Sequence, residues 1–86
     1  MSKADITEVI SDYRRAAGFA LEAGFDAIEP HCASGYLPAQ FLASGSNTRD
    51  DEYGGPLENR LRFISELLEA LSEEVGASRI GLRISP

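Results

Sequence analysis

Between Asp5 and Leu21 apolar residues recur at helical spacing: Ile6, Val9, Ile10, Tyr13, Ala16, Ala17, Ala20 and Leu21. Gly24 stands where such a helix would stop. The next stretch, "FDAIEPH" over residues 25–31, alternates in character as a strand does. Residues 56–75, "PLENRLRFISELLEALSEEV", carry a stripe of Leu57, Leu61, Ile64, Leu67, Leu68, Leu71 and Val75. That stripe predicts a second helix, with Pro56 in its first turn and Gly76 at its end. Residues 79–85, "RIGLRIS", alternate again. The order is helix, strand, long loop with a short helical turn, helix, strand, which predicts a parallel βαβ unit with a right-handed crossover.

The two strands sort their side chains by face. Ile80, Leu82 and Ile84 share one face, which helices should cover, while Arg79, Gly81, Arg83 and Ser85 share the other. In the first strand Ile28 lies with Asp26 and Pro30, opposite Ala27, Glu29 and His31. Glu29, His31 and Arg83 therefore crowd one face near the C-terminal strand ends. An α/β barrel places its sites there. An open sheet with a solvated polar face explains the same pattern, and spacing alone does not separate the two.

Length and charge narrow the function classes. Eighty-six residues make one small unit or part of a larger one. A net charge of −6 argues against nucleic acid and membrane surfaces, both of which would repel the chain. No apolar run approaches the roughly 18 residues of a membrane span, and "MSKADITEVI" lacks a signal-peptide core. The single Cys32 forms no internal disulfide. A soluble, cytoplasmic protein is the expectation.

The candidate chemistry is concentrated in "HCASGY", residues 31–36, which holds the only histidine and the only cysteine. A lone histidine at a strand end is more often structural than catalytic. Cys32 reads as a small filler beside the site, and no second thiol or histidine exists to build a zinc centre, so no metal is expected. Gly35 suits a sharp turn that would present the Tyr36 phenol. "NTRDDEYGG", residues 47–55, reads as a structural loop in which Gly54 and Gly55 set the turn into the helix. Glu58 and Arg62 give that helix partial charge support at i,i+4.

"HCASGYLPAQFLASGSNTRDDEYGGPLENRLRF", with "AAGFALEAGFDAIEPH" before it and "RIGLRISP" after it, resembles the old yellow enzyme family. These are FMN-dependent ene-reductases on a (β/α)8 barrel, and the likeness is greatest to the N-ethylmaleimide reductase and oxophytodienoate reductase branch. It covers nearly the whole chain and implies that residues 1–86 are a partial flavin oxidoreductase barrel, an αβαβ segment with parallel strands. The combination of AGFD, GYL, QFL, SN-x-R, DEYGG and ENR-x-RF is specific, although each motif alone is weak. By this resemblance His31 donates a hydrogen bond to the substrate carbonyl, and Ser34 occupies the place of the second donor. Tyr36 protonates the substrate α-carbon, and Arg83 lies near N1 and the C2 carbonyl of FMN. Paired donors that polarise an enone, a phenol that releases one proton, and a cation beside a reduced flavin suit that chemistry.

The departures are specific. Ser34 has a shorter reach than the usual Asn or His, so water could bridge to the carbonyl. Pro30 replaces an aliphatic residue and removes a ladder donor, and Asp50 stands where Thr or Ser is common. A whole barrel takes about 250 residues and eight strands. The resemblance implies a segment of an FMN-dependent NAD(P)H oxidoreductase that reduces activated C=C bonds of enones. The alternative is a catalytically inactive βα module, a remnant acting as an interaction or structural protein. On either reading the isolated chain should be inactive, and its strand edges should favour self-association or a complementing chain.

Overall fold

A computed structural model of the chain describes residues 1–84. Ser85, assigned above to the Arg83 face, lies outside the described residues. The described residues form two compact units, Met1–Glu29 with Glu66–Gly81, and Pro30–Ser65 with residues 82–84.

In the first unit, helix α1 spans Lys3–Glu22. It starts two residues before the apolar pattern because Ser2 and Asp5 form a capping box. The Asp5 N–H donates to Ser2 Oγ at 3.1 Å, and the Ser2 N–H donates to Asp5 Oδ2 at 2.9 Å. The helix ends as the sequence predicts, at a Schellman turn. Gly24 has φ +101°, its N–H donates to the Leu21 carbonyl, and the Phe25 N–H donates to the Ala20 carbonyl. Ile6 and Ala17 of α1 are buried, as are Leu67, Leu71 and Val75 in the later part of the long C-terminal helix. Arg14 ties the two helices on their outer side by pairing with Glu73 at 3.1 Å.

The predicted second helix is divided. A short helix α2, Leu37–Leu42, comes first in the chain; four residues, Leu57–Arg60, then form α3, and α4 spans Arg62–Val75, with a turn at Leu61 between them. Pro56 precedes α3 as its extended cap instead of entering the first turn. The apolar stripe is shifted accordingly: Phe63 is fully buried, whereas Leu57 and Leu61 are exposed. The reason lies in Asn59 and Arg60. Asn59 Nδ2 donates to the Gly54 carbonyl and Arg60 Nε to the Gly55 carbonyl, which turns the polar side of α3 toward the loop. Arg62 does not serve Glu58; its Nε donates to the Glu52 carbonyl at 2.7 Å.

Among the described residues both strands are shorter than their alternation predicts. The first unit holds one parallel bridge, Ile28 with Ile80, closed by Ile28 N–H to the Arg79 carbonyl and Gly81 N–H to the Ile28 carbonyl. In the second unit β1, His31–Cys32, pairs in parallel with β2, Arg83–Ile84. Between the two paired stretches stands Pro30, which accepts from the Arg83 N–H at 3.3 Å but has no N–H of its own to give. The expected helical cover over Ile80, Leu82 and Ile84 is also absent. Ile80 is half-buried, and Leu82 and Ile84 are 43% and 63% exposed. In the second unit the apolar packing gathers instead around Cys32, Ala33, Phe41, Tyr53, Phe63 and Ile64.

Helix α2, Leu37–Leu42, lies within the long loop and completes that core. Phe41 stacks on Phe63 with ring centroids 4.4 Å apart and meets Tyr53 edge-on at 6.4 Å.

Candidate active site

The strand pairing decides which side chains share a face. His31 sits opposite Arg83 in the parallel register, and Cys32 sits opposite Ile84. Residues paired across neighbouring strands project to the same side, so His31 and Arg83 stand together on one face and Cys32 with Ile84 on the other. His31 and Arg83 are exposed, while Cys32 is buried. Burial alone pushes the Cys32 thiol above its ordinary range, which suits a filler better than a nucleophile. On the Cys32 and Ile84 side a groove of about 600 Å³ runs past Ala39 and Leu42.

The chain leaves β1 by a tight turn. The Tyr36 N–H donates to the Ala33 carbonyl at 3.2 Å, and the two central residues, Ser34 and Gly35, have φ +57° and +75°. Positive φ at both central positions is the mark of a type I′ turn, which favours Asn, Asp or Gly. Gly35 meets this requirement without strain, and Ser34 meets it at a cost of roughly 1 kcal/mol. The turn reverses the chain within one peptide, so Tyr36 comes back against His31. Their ring centroids are 4.7 Å apart and the planes are inclined by 41°. Tyr36 is 60% exposed.

Tyr36 is also the cap residue of α2. The last three carbonyls of that helix are all taken by side chains, two from the following loop and one from α3. Ser46 Oγ donates to the Gln40 carbonyl at 2.8 Å, Asn47 Nδ2 to the Phe41 carbonyl at 2.6 Å, and Arg60 Nη1 to the Leu42 carbonyl at 2.7 Å. Asn47 Nδ2 reaches the Tyr53 carbonyl as well, at 2.7 Å. Arg49 lies within 6.0 Å of the Phe41 and Tyr53 ring centres and forks onto Asp51, Nε to Oδ1 at 3.0 Å and Nη2 to Oδ2 at 2.6 Å. The Asp51 carboxylate holds the Arg49 guanidinium above its ordinary range. Gly54 is buried, and a Cβ there would come within 2.8 Å of Asn47 Oδ1. The loop read as structural is therefore a scaffold that fixes α2.

Of the residues singled out in sequence, His31 and Tyr36 are joined by ring contact and His31 and Arg83 by strand register. Ser34 is held in the turn between the first two. Gln40, Asn47 and Arg60 escaped the reading, although the first two lie in the QFL and SN-x-R motifs and the third in ENR-x-RF. Spacing alone gives no hint that their side chains would seek backbone carbonyls up to 18 residues away. Among the described residues no group of three or more His, Cys, Asp or Glu side chains is placed to hold a metal ion.

Residues 1–86 match the model of the NADH:flavin oxidoreductase / NADH oxidase family. The chain is 55% identical over 82 residues to 12-oxophytodienoate reductase 1 of Oryza sativa subsp. japonica, covering 95% of this chain and 22% of that protein. Morphinone reductase, solved in complex with tetrahydroNAD, superposes with a TM-score of 0.97 at 46% identity, over all of this chain and 24% of that one. A mutant of the same enzyme superposes with a TM-score of 0.96. The chain thus spans about a quarter or less of these relatives.

Proposed function

This chain belongs to the NADH:flavin oxidoreductase / NADH oxidase family and forms an αβαβ segment of the (β/α)8 barrel of the old yellow enzymes, and from that premise we propose that it supplies the proton-donating and carbonyl-binding side of an enone reductase site. The observation that carries the reading is the His31–Tyr36 contact, which puts an imidazole and a phenol within one small substrate's reach. His31 donates to the substrate carbonyl oxygen, and Ser34 adds a second bond, directly or through water. That pair withdraws electron density from the conjugated double bond. Tyr36, an exposed residue, delivers one proton to the α-carbon and recovers one from solvent.

The residues present fit FMN, the cofactor that the family implies. Arg83, on the His31 face, presents a fixed cation of the kind that an electron-rich flavin edge requires. When bound, FMN supplies the hydride for the β-carbon, drawn in turn from NAD(P)H. Leu82 and Ile84, left exposed on the face opposite His31 and Arg83, support cover by further elements of a completed barrel, in one polypeptide or by association with another copy or a complementing chain.

The test is a graft. Residues 1–86 replace the matching quarter of morphinone reductase, and the FMN-loaded chimera is assayed with NADH and cyclohexenone. Formation of the saturated ketone is expected. A chimera that retains FMN and is reduced by NADH yet leaves the enone intact would overturn the reading. The isolated chain with added FMN should show no turnover, because two strands cannot enclose a site against water.

A further inference from the structure

Tyr36 sits between two peptide groups whose orientation sets the direction of its side chain, and one residue holds both. Gln40 Nε2 donates to the Gly35 carbonyl at 2.8 Å, and the Gln40 backbone N–H donates to the Tyr36 carbonyl at 2.9 Å. The first bond fixes the peptide that enters Tyr36, and hence its φ. The second fixes the peptide that leaves it, and hence its ψ. The N–H of residue 40 would make the second bond with almost any side chain, since it belongs to the first turn of α2. The first bond is particular to a side chain that has a donor and the reach of glutamine.

That bond also acts where the backbone is least settled. The Gly35 carbonyl leaves the second of two consecutive left-handed residues, Ser34 at φ +57° and Gly35 at φ +75°. Glycine gains nothing from its own side chain to keep this conformation. Tyr36 makes no side-chain capping bond to α2. Gln40 is in turn anchored, because its carbonyl accepts from Ser46 Oγ at 2.8 Å.

We propose that Gln40 is a positioning residue for Tyr36: its side-chain amide locks the Ser34–Gly35 turn so that the phenol is held against His31 at the angle needed for proton delivery. The proposal rests on the reading of Tyr36 as the proton donor. It concerns a residue that touches neither substrate nor cofactor, and its effect passes through the backbone alone.

The experiment uses the FMN-loaded chimera carrying Gln40→Met, which keeps the length and loses the donor, and Gln40→Glu, which sets an acceptor against the carbonyl. Stopped-flow kinetics separate flavin reduction by NADH from flavin reoxidation by cyclohexenone. Gln40→Met should slow reoxidation about three- to tenfold, the worth of one hydrogen bond, and leave flavin reduction unchanged. Gln40→Glu should slow it at least as much. Added to Tyr36→Phe, Gln40→Met should cause no further loss. Equal slowing of both half-reactions, or an undiminished loss on top of Tyr36→Phe, would overturn the proposal.

A second measurement stands apart from catalysis. The His31 ring protons lie beside the Tyr36 ring, and their NMR shifts report the contact. In Gln40→Met they should move toward the values seen in Tyr36→Ala, with the rest of the spectrum retained. Unmoved shifts would refute the positioning role. If Tyr36→Phe proves harmless while the shifts still move, the proton-donor reading fails and the positioning of the ring by Gln40 stands.

Discussion

The imidazole of His31 and the phenol ring of Tyr36 face each other across 4.7 Å at the mouth of a turn only four residues long. Imidazole can hold a carbonyl oxygen while phenol reaches the α-carbon of the same enone. The two groups have separable duties, and the separation can be measured. In a full barrel, Tyr36→Phe should slow reoxidation of the flavin by an enone by about 10²-fold or more, the usual worth of a positioned acid, and spare its reduction by NADH. Stopped-flow traces of the two half-reactions check this; equal slowing would make Tyr36 a packing residue.

Ser34→Asn should act twice. Asparagine tolerates the left-handed backbone at this position better than serine, so the thermal midpoint should rise by an amount equivalent to about 0.5–1 kcal/mol. Its longer side chain should also tighten the binding of a phenolic ligand by about 1–2 kcal/mol, by direct bonding to a charged oxygen. Calorimetric melting and phenol titration of both variants read the two effects separately.

Gly54→Ala should destabilise the second unit by about 2 kcal/mol, because the new methyl group would meet the Arg49 carbonyl and the Asn47 amide in a buried loop. The φ of Gly54 is not in the left-handed region, so the effect is one of space alone. A chemical denaturation midpoint measured beside that of Gly45→Ala, where a Cβ meets nothing within 4 Å, isolates the clash.

Acid should loosen the first turn of α1. The bonds from the Ser2 backbone and then the Ser2 hydroxyl lower the Asp5 carboxyl below its ordinary 3.8. A carboxyl depressed in the folded state adds stability above the unfolded value, and that stability is lost as pH falls through the folded one. Protection of the amides of residues 3–7, measured relative to their intrinsic exchange at each pH, should therefore be steady from neutral pH down to about pH 5 and fall below about pH 4. Asp5→Asn should remove that extra acid sensitivity while leaving the rest of the helix unaffected.

Cys32 should resist modification. Its thiol is buried and lifted above its ordinary range, so a maleimide or iodoacetamide should label the native chain far more slowly at neutral pH than the same chain in urea. A raised thiol also makes the native state the better proton holder in alkali, so stability should fall as pH rises past about 9. Labelling time courses and alkaline melts with Cys32→Ala as the control test both statements.

Helix positions and the grouping of His31 with Arg83 were legible because period 3.6 and period 2 are properties of the chain itself. The start of α1 after its Ser2 cap is legible in Ser-x-x-Asp, a spacing overshadowed by the apolar run that follows it. Strand length was misjudged because alternation measures how side chains are sorted, whereas a ladder also needs an N–H at every second residue, and Pro30 has none. The cover expected over Leu82 and Ile84 failed for a related reason: an apolar face shows that burial is favourable, without saying which element provides it. Phe63 was passed over because Leu57 and Leu61 extend the stripe in register. Only the side chains of Asn59 and Arg60, bonded to loop carbonyls, turn those leucines outward. The His31–Tyr36 contact needed the signs of two backbone angles, which Gly35 suggests and Ser34 conceals.

The left-handed backbone at Ser34 has a consequence for anyone who would diversify the site. A saturation library at position 34 is sieved by the turn before any substrate meets it. Branched residues such as Val, Ile and Thr fall out as unfolded or poorly expressed clones, whatever their merit as binding groups. The usable alphabet there shrinks to glycine and a few short or flexible polar residues, with asparagine and aspartate foremost. New substrate preferences are more readily found by varying neighbours of the turn, or by lengthening it, than by exhausting the position itself.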